Sequence, residues 1–134
     1  MKKLLIVLFA FGLSGCTLFD AYFMAKYDTT EYALVNDIKT KAQVAEENCG
    51  NQLLVVTQVN ELYIKALEFK NFTMHIPRNK DTDNLSTKLL ALTKETRDYF
   101  NKAEKISPIF CKAKLQQVVK SADTIQHALG GKPR

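Results

Sequence analysis

Tryptophan is absent from the 134 residues, and proline, cysteine and glycine are scarce at three, three and five. So few prolines leave room for long uninterrupted helices, because proline in a helix interior removes a hydrogen bond and clashes with the preceding turn. So few glycines exclude a low-complexity linker or a collagen-like repeat. No stretch alternates apolar and polar residues for long enough to make a sheet strand. There is no run of about 20 apolar residues, the length a membrane-spanning helix needs. A dense basic stripe is missing too: 19 basic residues against 14 acidic ones give a formal charge of only +5. That balance argues against nucleic acid as a partner. No nucleophile elbow, P-loop, paired-glycine nucleotide turn, zinc-helix motif or Cys-x-x-Cys occurs, so neither an enzyme nor a metal or other cofactor is expected. Glu46-Glu47 is a carboxylate pair in sequence only, since adjacent helical residues point about 100° apart.

What is present begins with the first sixteen residues. Met1-Lys2-Lys3 is a short basic start, residues 4–13 are apolar, and Ser14-Gly15 are small. That is the three-part layout of an export signal. The junction Leu13-Ser14-Gly15-Cys16 resembles the lipobox of bacterial lipoproteins. The resemblance covers residues 1–16 alone. It implies a diacylglycerol on the Cys16 sulfur, cleavage just before Cys16, and a domain held to the bilayer by its acyl chains. An uncleaved anchor running on through Leu18 and Phe19, or a plain secretory cut, are the alternatives. Thr17 stands where inner-membrane lipoproteins of enterobacteria carry aspartate, so the resemblance implies the periplasmic face of the outer membrane. The expected division is a signal at 1–15, a lipidated tether at 16–28 and one domain at 29–134. The aromatic-rich stretch 17–28 reads as a tether, with an early helical turn as the alternative.

From Asp28 onward the pattern is helical four times over. Asp28 stands three residues before Glu31, the arrangement of a capping box, and Leu34, Ile38, Ala42, Ala45 and Cys49 follow on one stripe up to Gly50, a candidate C′ glycine. Asn51 caps a second helix whose seam is Val55, Val59, Leu62, Ala66 and Phe69. Leu53, Val56, Tyr63 and Leu67 widen that seam, so this helix should be largely buried. A polar loop over 70–83 should end at Asp83 or Asn84, the cap of a third helix with the seam Leu85, Leu89, Leu92, Thr96, Tyr99, Ala103 and Ile106. Ser107-Pro108 opens a fourth, a cap followed by proline at the first helical position. Its seam is Cys111, Leu115, Val118, Ala122, Ile125 and Leu129, and Gly130-Gly131 ends it. Four helices of about 20 residues, each about 30 Å long, predict an all-α, antiparallel up-down-up-down four-helix bundle.

The bundle can be asked whether Cys49 and Cys111 pair. Cys49 ends the first helix and Cys111 lies in the first turn of the fourth. In this topology those ends share a pole, the two helices are neighbours, and both cysteines lie on core stripes. One disulfide is therefore expected in an exported domain, with two separate buried thiols as the alternative. The opposite pole should lie nearest the bilayer, bringing Lys70, His75, Arg78, Lys80, Lys132 and Arg134 together with Lys26 nearby. Lys70, Arg78, Lys80, Lys132 and Arg134 are the candidate contacts to membrane or partner, against the alternative of a merely solvated surface. Phe69, Phe72, Met74 and Ile76 in that loop either meet a partner or lipid, or fold back to plug the bundle end. The expected function is a membrane-anchored periplasmic lipoprotein, held to membrane lipid through Cys16. It would act as a non-enzymatic interaction or regulatory module toward an envelope protein. The alternative is a carrier of a small ligand or lipid between the helices. The small residues Ala42, Ala45, Ala66 and Ala122 either bring helices close or leave a cavity.

Overall fold

A computed structural model of the protein describes residues 24–134. Cys16 and the signal lie outside the described residues. Four helices follow one another: α1 (Thr29–Glu47), α2 (Gln52–Thr73), α3 (Lys80–Lys102) and α4 (Pro108–Gly130). Each packs on its neighbours in ring order, α1 on α2 and α4, α3 on α2 and α4, with no contact across either diagonal. The α1–α4 seam is the most extensive and the α3–α4 seam the thinnest. Short connections make successive helices antiparallel.

Local chemistry explains the starts. Asp28 accepts from the amides of Thr30 and Glu31 at 2.7 and 3.0 Å. Asn51 accepts from Leu54 N at 3.2 Å, and Ser107 caps α4 with Pro108 at its first position. The stops differ from expectation. None of the described glycines has a positive φ, so Gly50 is not a left-handed cap; α1 ends instead at Asn48. Helix α2 also runs on to Thr73 and α3 begins at Lys80, which shortens the expected 70–83 loop to residues 74–79. The expected caps Asp83 and Asn84 therefore lie inside α3. Asn79 holds the cap position without a side-chain capping bond.

The seams of α2 and α4 hold every residue expected of them: Val55, Val59, Leu62, Ala66 and Phe69 share one core with Cys111, Leu115, Val118, Ala122, Ile125 and Leu129. The breadth of α2's burial is a correction. Leu53 is 85% and Ile64 60% exposed, because both project about 180° from the seam at ~100° per residue. Helix α3 is turned by part of one residue's step. Thr82, Ser86, Leu89, Thr93, Thr96 and Phe100 are buried, whereas Leu85 and Leu92 are half-buried and Tyr99 is exposed. Hydroxyls can face a core when they bond their own helix. Thr93 donates to Leu89 O at 3.0 Å, Thr96 to Leu92 O at 2.8 Å and Ser86 to Asp83 O at 2.7 Å.

Cys49 and Cys111 form a disulfide with Cα atoms 5.7 Å apart, joining the C-terminal end of α1 to the start of α4. At the other end, residues 24–28 are neither helix nor free of the bundle: an extended strap donates from Ala25 N to Arg78 O at 3.2 Å and from Tyr27 N to Pro133 O at 2.8 Å. The two ends are called below the disulfide pole and the strap pole.

Candidate functional site

The strap pole gathers the start of α1, the end of α2, the 74–79 loop and the tail after α4. Its centre is a buried polar cluster. Lys132 Nζ donates to Glu31 Oε2 and to Asn79 Oδ1, both at 2.6 Å. The Asn79 amide donates to the other Glu31 oxygen and to Thr73 O, the latter at 3.3 Å. The Thr73 and Ser86 hydroxyls meet at 2.9 Å, so one chain of hydrogen bonds links α1, α2, α3 and the C-terminal tail. A buried charge is tolerated when it is paired and its remaining lone pairs and protons are satisfied. Among the described residues no buried side-chain nitrogen or oxygen lacks a partner.

That cluster corrects two expectations. Glu31 does not close a reciprocal capping box; its carboxylate turns inward, fully buried. Lys132, expected among the exposed cations, has a side chain only 6% exposed and an ammonium engaged by Glu31. Sequence reasoning missed Asn79 altogether, since an asparagine in a polar run reads as loop. Lys70 is likewise drawn off by a salt bridge to Asp83.

The exposed cations of the pole are Lys26, Arg78, Lys80 and Arg134. The strap joins the segments that carry them. Its bond to Arg78 O and its bond to Pro133 O set Lys26 between the 78–80 segment and Arg134. The Arg134 guanidinium lies 5.6 Å from the centre of the Tyr27 ring, and that ring lies 6.0 Å from Tyr32. Arg78 holds φ at 62°, a left-handed conformation that costs a non-glycine residue about 1 kcal/mol. The apolar residues expected at the loop divide: Phe69 and Phe72 lie in α2, the first fully buried and the second half-buried, while in the loop itself Ile76 is half-buried and Met74 is 54% exposed. Met24, on the strap, is also exposed.

The disulfide pole is built differently. Gln52 ties down the α3–α4 connection, donating to Ala103 O at 3.4 Å and Glu104 O at 3.1 Å and accepting from Ile106 N at 3.0 Å. Glu46 accepts from Gln116 at 2.7 Å across α1 and α4. Beside it Thr40, Gln43, Val44, Glu46, Glu47 and Lys112 line a solvent-open groove of about 570 Å³. Between the helices, Ala42, Ala45, Ala66 and Ala122 are fully buried within the core.

Perturbed acidity lies on the flanks. Lys94 and Arg97 bond Asp98 at 2.6 and 2.7 Å. The Lys94 bond, then that of Arg97, holds the Asp98 carboxyl down at about 2. Lys39 at 2.5 Å lowers Asp123 in the same way. Both are surface pairs on helix sides, away from either pole. The described residues contain no group of three His, Cys, Asp or Glu that could hold a metal ion, and no helix long and apolar enough to cross a membrane. Set against models of known families, curated proteins and solved structures, the chain matches none.

Proposed function

We propose that this chain is an exported lipoprotein, acylated on Cys16, whose bundle serves as a non-enzymatic interaction module on the periplasmic face of the outer membrane. The observation that carries the reading is the Leu13-Ser14-Gly15-Cys16 junction behind a basic and apolar leader. The Cys49–Cys111 disulfide supports it independently, because such bonds persist in oxidising compartments and are rare in the cytosol. The strap supports the geometry of anchoring: the chain that would leave the lipid meets the bundle at the pole opposite the disulfide. An interaction role is favoured over a carrier because the small seam residues are packed within the core, while the 570 Å³ groove opens outward and is lined mostly by polar side chains. The protein partner would be another envelope component.

Cys16→Ser tests the anchor. Acyl labelling in the host should disappear and the protein should leave the membrane fraction. Wild-type protein carrying Met1 and no acyl group would overturn the reading.

A further inference from the structure

The strap pole has features in common with proteins that rest on lipid: exposed cations beside exposed apolar side chains on a surface tied to the chain's lipid-facing end. We propose that this pole docks on anionic phospholipid headgroups, with Lys26, Lys80 and Arg134 facing the phosphates and Met24 and Met74 dipping into the interfacial zone. The proposal deepens the lipoprotein reading and rests on it for the anchor alone.

Three observations carry it. First, the strap's two backbone bonds converge three segments distant in sequence, so that Lys26, the 78–80 segment and Arg134 form one surface. Second, the residues between Cys16 and Ala25 reach at most about 30 Å when fully extended, so an acylated Cys16 keeps this pole near the bilayer. Third, the pole's charges are sorted. Lys132 pairs with Glu31 inside the bundle and Lys70 with Asp83, so each ion pair cancels and adds nothing to the surface balance. Asp28, the α1 cap, and the exposed Asp81 then stand against Lys26, Lys80 and Arg134. Basic residues held near an anionic surface are attracted over about a Debye length. Exposed methionines add apolar contact without demanding a fixed pocket. Other occupants of the pole, a protein above all, would show no preference for lipid charge.

The test uses the full chain as processed in a bacterial envelope, added to vesicles of phosphatidylcholine alone or of phosphatidylcholine with phosphatidylglycerol. Flotation reports attachment and amide exchange over residues 24–28 and 74–80 reports docking. The expected result is flotation with both compositions, exchange severalfold slower on the anionic vesicles only, and reversal of that protection by high salt. A variant carrying Lys26→Glu, Lys80→Glu and Arg134→Glu should still float, keep its helical circular dichroism and lose the protection. Protection equal on both vesicles, or retained in the variant, overturns the proposal while leaving the anchor standing. Flotation with anionic vesicles alone supports the docking pole and overturns the acyl anchor. Flotation with neither overturns both.

Discussion

At the scale of single residues, the most consequential contact is Lys132 with Glu31. Both are shut away from water and both bond Asn79. Removing one partner leaves the other charge buried and unpaired, so Lys132→Ala should cost about 3–5 kcal/mol in urea unfolding. Replacing both, as in Glu31→Leu with Lys132→Met, should fall near neutral, because the desolvation of two charges disappears with their attraction. A large loss in the double variant would mean that Asn79, deprived of both partners, dominates the cluster. Asp98 gives a second residue-scale prediction. Its carboxyl titrates at about 2 in the folded chain, below the ordinary 3.8. Its contribution is therefore complete above about 3.8 and is lost as pH falls toward 2. A carbon-detected titration should place its midpoint near 2, and Lys94→Ala should move it upward; an unmoved midpoint would give the effect to Arg97 alone. Lys94 and Asp98 stand at the i, i+4 spacing of a helical ion pair, but the contact of Glu31 with Lys132 could not be read from the sequence. Glu31 occupies the position of a capping-box glutamate, and Lys132 follows two glycines like any loose tail. Both turn inward onto Asn79, which only the fold brings between them.

At the scale of helices, sequence periodicity succeeded along α2 and α4, slipped by one residue at the start of α1, where Val35 and not the expected Leu34 is fully buried, and slipped along the hydroxylated seam of α3. The α2 and α4 stripes were legible because Val, Leu, Ile, Ala and Phe recur at steps of three and four without a polar residue breaking the seam. In α3 two columns compete. Leu85, Leu92 and Tyr99 outscore Ser86, Thr93 and Phe100 on any hydrophobic count, yet the second set is buried. Thr93, which was not on the expected seam, bonds the carbonyls of Leu89 and Leu90 in its own helix and is buried, which a hydrophobic count cannot anticipate. The α2–α3 boundary slipped for a related reason: Thr73 looks like loop until its hydroxyl is seen to bond Lys70 O and meet Ser86. The seam makes a direct prediction. Leu89→Ala should cost about 2–5 kcal/mol, as a fully buried leucine does. Leu92→Ala, half-buried, should cost nearer ~1 kcal/mol. Equal losses in thermal or urea unfolding would put the seam back on the Leu85–Leu92 column.

For the whole molecule, α1 and α4 are clamped at both ends. The Cys49–Cys111 bond holds the disulfide pole, and Glu31 with Lys132 holds the strap pole through the tail that follows α4. The first clamp was legible because two cysteines at matching helix ends leave few other arrangements in this topology. The strap was not, since nothing in the aromatic-rich stretch before Asp28 distinguishes a tether from a docked segment. The disulfide joins residues 62 apart in sequence, and closing a loop of that size restricts the unfolded chain enough to contribute about 4 kcal/mol. Reduction should therefore lower the unfolding free energy by about that amount while helical content survives, since 5–15 kcal/mol is the usual total for a domain. The two clamps lie about 30 Å apart along helices of this length and share no partner, so their effects should add within ~0.5 kcal/mol. The clean measurement repeats the reduction in the Glu31→Leu, Lys132→Met background, where the strap-pole cluster is gone but folding is intact. Reduction should cost the same there as in the wild-type chain. A markedly larger cost would mean that the poles are coupled through the α1–α4 seam. A change at the strap pole would then be felt at the disulfide pole, where Leu53 and Ile109 are exposed.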